Sequence, residues 1–300
     1  MRGSPYPTSN PQPSSHHQVW EIAGGSISLA DPVVVGILNL TPDSFSDGGE
    51  LPNLEVVVGR ADQMVREGAG ILDVGGESTR PGASAVEVGE ELRRVLPVVE
   101  VLVERCGVPI SVDTRKAQVA EAALAAGAAV VNDVSALVFD TGMVDVVAKA
   151  GAGVVLMHMR GTPETMGHRA NYDNLPADVS YELGLAVDYA EKGGIEPEAI
   201  VLDPGIGFAK TSRQSLALLG EIPRLRKLGF PVLVGPSRKS FLGDLLEVPL
   251  QERAVGTAAA CLIAYQGGAR LFRVHDVAPT VQALAVAHAV DEQRVERSTA

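Results

Sequence analysis

Cysteine is nearly missing from this 300-residue chain, which carries only Cys106 and Cys261, far apart and in apolar surroundings. That argues against a disulfide framework or a cysteine zinc site, and both read as plain buried thiols of a protein in a reducing cytoplasm. Positive charge is also scarce. Lys and Arg number 25 against 37 Asp and Glu, a formal net charge of -12, and no Lys/Arg-rich run occurs. A nucleic-acid partner is therefore not expected, because binding phosphate backbones needs a basic stripe. An anionic ligand would have to be held by local groups. No apolar stretch reaches the ~18 residues needed to cross a bilayer, so no membrane partner is expected. The first 20 residues are rich in Pro, Ser and Asn and lack the apolar core of a signal peptide. They are expected to be a disordered tail, and residues 292–300 a polar one, leaving 21–291 as a single folded domain.

Against those absences stand eight apolar, β-branched runs: Val33–Asn39, Gly70–Val74, Pro109–Asp113, Ala129–Asp133, Gly153–His158, Ala199–Asp203, Pro231–Gly235 and Arg270–Val274. They lack period-two alternation, as strands buried on both faces do, so parallel pairing is implied. Between them lie amphipathic or Ala-rich stretches at Leu54–Glu67, Ala85–Arg105, Lys116–Ala126, Met143–Ala150, Ala177–Lys192, Ser212–Lys227, Gln251–Gln266 and Ala278–Val290. Glycine follows several of them as a helix stop, for example Gly151 and Gly229. Eight strands alternating with eight helices predict an α/β fold of the (β/α)8 TIM-barrel type, with an open doubly wound sheet as the alternative. In such a barrel the strand-to-helix loops share one mouth, where polar residues from distant parts of the chain can meet one ligand. Two of these loops, Leu40–Asn53 and Glu77–Val86, are long, Gly/Pro-rich and charged, which suits mobile lids. The last two helices are more apolar than an outer ring requires, so a homodimer interface is expected there.

Each run ends in a polar cluster. Gly36–Gly49, GILNLTPDSFSDGG, puts the Asn39 amide at a strand end, within reach of a metal, with Asp43 and Asp47 on the loop behind it. DPGIGFAKT fails as a dinucleotide loop because Lys210 stands where glycine is needed, and fails as a P-loop at Pro204 and Ala209. What is left is Asp203 before a Pro-Gly turn, either a turn former or a carboxylate that reads two neighbouring N–H donors. GPSRKS places Ser237, Arg238 and Lys239 where a strand gives way to a helix, as solvated charge or as an anion site. Arg273 and His275 alternate on the last strand's tip and suit a phosphate, while Asp276 reads as a helix cap. Asp113 and Asn132 are open to a cap role or a ligand role. GESTRPG offers Glu77, Thr79 and Arg80, and in LMHM, Met157 and His158 read more as core filling than as ligand contacts.

Taken in series, GILNLTPDSFSDGG, GESTRPGA, SVDTRKAQVA, NDV, LMHMRGTPETM, DPGIGFAK, GPSRKS and RVHDV resemble the dihydropteroate synthase family of folate biosynthesis, from about Val33 to about Val290. The resemblance implies a transferase that joins 7,8-dihydropterin-6-ylmethyl diphosphate to p-aminobenzoate, releasing pyrophosphate and forming 7,8-dihydropteroate. It implies Mg2+, and catalytic roles for Asp113, Asp203, Lys239 and Asp47. Carried over by position, Asp113, Asn132, Met157, Asp203, Phe208 and Lys239 would bind the pterin. Asn39, Arg80, Arg273 and His275 would hold the diphosphate, with Asn39 on the metal, and Thr79, Arg80, Pro81, Ser237 and Arg238 would surround p-aminobenzoate. A pterin ring can stabilise positive charge on its exocyclic methylene, so this reaction needs no Ser or Cys nucleophile and can proceed by dissociative substitution. Two rivals are a folate-dependent methyltransferase on a similar barrel and a non-catalytic pterin-binding relative. The first has no need of the diphosphate residues, and the second should show a damaged loop motif.

Overall fold

A computed structural model of the chain describes residues 18–40, 53–80 and 82–299, with side chains described to residue 294. Eight parallel strands follow one another around a ring: β3 (Val33–Asn39), β4 (Ile71–Gly75), β5 (Ile110–Asp113), β6 (Val130–Asp133), β7 (Gly153–Met157), β8 (Ile200–Asp203), β9 (Leu233–Val234) and β10 (Leu271–Val274). The hydrogen-bonded order is β8-β7-β6-β5-β4-β3-β10-β9. A parallel bridge between Leu202 and Val232, and a Leu202 N–H bond to the Pro231 carbonyl at 3.0 Å, join the two ends. The sheet is therefore closed, and the open doubly wound alternative is ruled out. The expected strand Pro231–Gly235 keeps only its middle in the ladder, since Pro231 has no N–H to give and Pro236 follows.

Helices cross between successive strands: α1 (Leu54–Arg66), α2 (Val88–Arg105), α3 (Ala117–Ala125), α4 (Met143–Ala150), α5 (Leu175–Lys192), α6 (Ser212–Leu219), α7 (Ile222–Leu225), α8 (Ser240–Leu246), α9 (Ala254–Gln266) and α10 (Val277–Thr299). Local caps fix several starts. Asn53 accepts the Glu55 N–H, Asn174 accepts the Ala177 N–H, and Thr211 with Gln214 makes a complete capping box. The expected helix Ser212–Lys227 is two helices, because Gly220 ends the first and Pro223 opens the second. Residues Leu250–Glu252 form a single 3-10 turn before α9, which shortens the expected Gln251–Gln266 helix. The seven-residue α8 opens directly after Lys239, where the strand is expected to give way to a helix.

Both expected tails differ at their inner edges. Val19–Ile22 (β1) pairs antiparallel with Gly25–Ser28 (β2) through a turn with Gly24 at φ 77°, so a hairpin begins inside the expected 1–20 tail. The remainder of that tail, residues 1–17, lies outside the described residues. At the other end α10 runs on through Thr299, because Glu, Gln and Arg are good helix formers even where no apolar face drives folding.

The β1–β2 hairpin plugs the barrel's bottom. Trp20, 1% exposed, packs with Val35, Ile71, Val130, Val155, Val201, Leu233 and Leu271, and its indole N–H donates to the Ala199 carbonyl at 2.8 Å. A Cβ at position 153 would come within 2.7 Å of Ile22 and 3.1 Å of Trp20, so Gly153 admits the plug. Since side chains alternate along a strand, the next inward residue after each floor residue lies one layer nearer the mouth. Ile71 is followed by Asp73, Val130 by Asn132, Val155 by Met157, Val201 by Asp203, and Leu271 by Arg273 and His275. The interior is thus apolar below and polar above. Trp20→Ala is expected to lower stability by about 3–5 kcal/mol through the cavity it leaves. Thermal unfolding measures this, and an unchanged melting temperature would show that the hairpin does not plug the barrel.

Candidate active site at the barrel mouth

The polar layer is organised by a residue the sequence reading passed over. Asp73, in the middle of the fully buried β4, accepts hydrogen bonds from Ser111 Oγ (2.6 Å), Asn132 Nδ2 (3.1 Å) and Arg273 Nε (2.5 Å). Arg273 Nη2 meets Asp113 Oδ2 at 2.5 Å, so one guanidinium bridges two carboxylates. The other Asp113 oxygen, Oδ1, is buried with no hydrogen-bond partner among the described residues. Burial pushes the Asp113 carboxyl up to about 7, opposed by Arg273 and reinforced by Asp73. A buried acceptor left unpaired this way is suited to a donor brought by a ligand. An Asp inside an otherwise apolar strand, ILDVG, is the signal that would have found Asp73.

Beside this layer, Asp203 ends β8 and accepts the Gly205 N–H at 2.7 Å. Burial raises its carboxyl to about 6, with the Gly205 N–H and Lys239 pulling back. Gly205 sits at φ 67°, and a Cβ there would lie 2.0 Å from the His158 carbonyl, so the turn that aims Asp203 requires glycine. Lys239 Nζ stands 3.7 Å from the centroid of Phe208, and burial followed by Arg273 lowers its pKa to about 7. Asp203, Asp113, Arg273 and Arg80 all act electrostatically on this ammonium, which places them around one space. Met157 and Phe208 share a small buried cluster with Val134, Met166 and Ala209, an apolar wall next to the carboxylates.

Where β3, β9 and β10 end, His275 Nε2 lies 3.4 Å from Asn39 Nδ2, and its Nδ1 lies 3.0 Å from Ser237 Oγ. Burial, then Arg273 and Arg238, depress His275 to about 3, so the ring is neutral at physiological pH. Arg273 is on the same face but one layer deeper, about 7 Å lower along the strand, with its Nε and Nη2 engaged by Asp73 and Asp113. Arg238 is likewise engaged: at φ 56° its guanidinium forks onto Asp276 at 2.9 and 2.6 Å, so Asp276 is an ion-pair partner instead of the expected helix cap. Thr79 is half-buried and Arg80 exposed on the β4–α2 loop. Asp43, Asp47 and Pro81 lie outside the described residues. His158 is bonded on both ring nitrogens, to Glu182 and to Lys210, each at 3.0 Å, and holds the β8–α6 loop in place.

Comparison with known proteins places the chain in a family. The family model described as pterin binding enzyme matches residues 35–275. A curated dihydropteroate synthase of Synechocystis sp. is 49% identical over 258 residues, covering 86% of this chain and 89% of its own. The chain belongs to the dihydropteroate synthase family. The Escherichia coli K12 member is 45% identical over 266 residues, 89% of this chain and 94% of that one. Among solved structures, the Yersinia pestis dihydropteroate synthase in a sulfonamide drug complex superposes with TM-score 0.87 at 43% identity, covering 91% of this chain and 99% of that one. The Xanthomonas albilineans enzyme with 4-aminobenzoic acid gives 0.86 at 47%, covering 92% and 98%. Among the described residues no helix is long and apolar enough to cross a membrane.

For this family member the buried carboxylates come at a cost to stability. The Asp203 pKa is raised from 3.8 to about 6 on folding, so its contribution is most favourable below pH 4 and is lost as the pH rises through about 6. Above that pH the ionised group destabilises the fold by roughly 2–3 kcal/mol. Asp203→Asn keeps an acceptor for the Gly205 N–H and removes the charge. It is expected to raise the melting temperature at pH 8 and to leave it nearly unchanged at pH 4. Equal effects at the two pH values would disprove the buried, strained charge.

Proposed function

We propose that this family member condenses 7,8-dihydropterin-6-ylmethyl diphosphate with p-aminobenzoate by dissociative substitution at the pterin methylene, giving 7,8-dihydropteroate and pyrophosphate. The observation that carries the reading is the buried Asp113 oxygen with no partner among the described residues, in a group that acts on Lys239 together with Asp203, near the Met157–Phe208 wall. A pterin is a flat ring edged with adjacent N–H donors and acceptors. Asp113 and Asp203 suit the donors, Asn132 and Lys239 suit the ring's acceptors, and the wall suits its face.

Leaving-group departure puts positive charge on the ring and its methylene. Carboxylates held in a water-poor site stabilise that charge more strongly than water would, and without reorganising. The aniline nitrogen then attacks the methylene, the carbon–oxygen bond to the diphosphate having broken, and the nitrogen loses its proton. Asn39, the neutral His275 and Arg80 are assigned to the diphosphate, with Arg273 beneath it. Thr79, Ser237 and the backbone around Arg238 are assigned to p-aminobenzoate. The Asn39 amide oxygen fits a hard cation that keeps most of its ligands as water and substrate phosphate, so Mg2+ is assigned there. When bound, such an ion neutralises charge on the departing diphosphate. Asp47 and Pro81 remain candidates by resemblance alone. The free, buried thiols of Cys106 and Cys261 support a reducing, cytoplasmic setting.

The decisive measurement is pyrophosphate release with and without p-aminobenzoate. Release that depends on both substrates is expected, and Lys239→Ala should slow it about a hundredfold, equivalent to ~3 kcal/mol of barrier. Tight pterin binding without turnover would instead indicate a non-catalytic relative, and methyl transfer would indicate the other barrel chemistry. A homodimer is proposed through α9 and α10, which pack together and expose Val255, Ile263, Val286 and Val290. Light scattering should give about twice 31.3 kDa, and Val255→Glu with Val286→Glu should halve that mass. A monomeric parent protein would remove this assignment.

A further inference from the structure

The β4–α2 loop, which carries Thr79 and Arg80, is closed at its neck by a side chain the reaction itself does not use. Glu77 begins the loop, is 7% exposed, and its Oε2 accepts the Val86 N–H from nine residues further on at 3.1 Å. Its Oε1 receives both Nε and Nη2 of Arg115, at 3.1 and 2.8 Å. Lys116 bridges Glu77 and Glu91, and Thr114 Oγ1 donates to Glu91 at 2.7 Å. All of these side chains are buried. Two cations and two anions thus balance inside the protein, directly behind the loop. Halfway along, the Gly82 N–H donates to the Pro163 carbonyl at 3.0 Å, a second support from the opposite loop.

A buried ion network is weak evidence for a stabilising role, because well-packed apolar residues do as well or better. Its position offers another reason to exist. We propose that Glu77, held by Arg115 and Lys116, is a positioning residue that sets the shape of the 77–86 loop and so presents Thr79 and Arg80 to the aminobenzoate. This deepens the reading above and rests on it. Arg115 and Lys116 of the SVDTRK motif are then internal braces rather than anion ligands. Because they stand two and three residues after Asp113 in the chain, the brace ties the second-substrate loop to the strand that carries the pterin carboxylate.

The test is steady-state kinetics on Glu77→Gln, Lys116→Met and the conservative Lys116→Arg, with each substrate varied in turn. Misplacing a binding loop by about 1 Å can change rates by up to ~10²-fold, so a rise of roughly tenfold or more in KM for p-aminobenzoate is expected in the first two variants. KM for the pterin diphosphate should stay within about twofold, and Lys116→Arg should restore most of the loss. Amide hydrogen exchange at Val86, which needs no turnover, should accelerate in Glu77→Gln. If the parent protein fails to release pyrophosphate, the reaction assignment fails while the exchange result still judges the brace. If Glu77→Gln and Lys116→Met fold poorly, Thr114→Val, which loosens only the outer end, should give a smaller shift in the same direction. An unchanged aminobenzoate KM with unchanged Val86 exchange would overturn the proposal. A parallel change in both KM values that follows thermal stability would also overturn it.

Discussion

An incompletely paired negative charge buried at the top of the barrel is the feature on which the rest of the molecule depends. Arg273 is one guanidinium shared between Asp73 and Asp113, and Asp113 retains an oxygen without a partner among the described residues. A protein interior tolerates that only if the surrounding structure holds the groups where they are, because an unpaired buried acceptor carries a desolvation cost of about 1–3 kcal/mol. The apolar floor supplies the rigidity. Trp20 and the ring of Val, Ile and Leu beneath the polar layer prevent collapse around the charge.

The same logic explains why the site is built from strand ends and its reach from loops. Strands place Asp73, Asp113, Asn132, Asp203 and Arg273 in registered layers, so their mutual distances are fixed by backbone ladders. The loops above are fastened at chosen points: Gly205 against the His158 carbonyl, Lys210 against the His158 ring, Glu77 across the neck of its own loop. Precision sits in the sheet and adaptability in the loops, a division suited to a site that must fix one flat ring and admit a second molecule.

Much of this was legible in the residues. Eight buried runs with polar ends implied the closed parallel sheet, and the ordered motifs identified the family. The residues Asn39, Asp113, Asn132, Asp203, Lys239 and His275 do line one mouth. Three points were not legible. Arg273 and His275 look equivalent as alternate residues on one strand, yet a layer of depth puts one among carboxylates and the other at the rim. Asp276 reads as a cap until Arg238, 38 residues away, is seen to claim it. Asp73 is a single acidic letter in an apolar run, and its importance appears only when Ser111, Asn132 and Arg273 converge on it.

Alone, the amino-acid order determined the strand and helix periodicity, the position of the turns, and which chemical groups stand at each strand's end. Those are local properties, set by side-chain patterning over a few residues. Only the tertiary structure decided which charges pair, which carboxylate oxygen has no donor among the described residues, and which basic residues brace a loop. Pairing depends on distances across the barrel between residues far apart in the chain, 200 positions for Arg273 and Asp73. No short-range pattern encodes such a distance, because it is fixed only when the sheet closes.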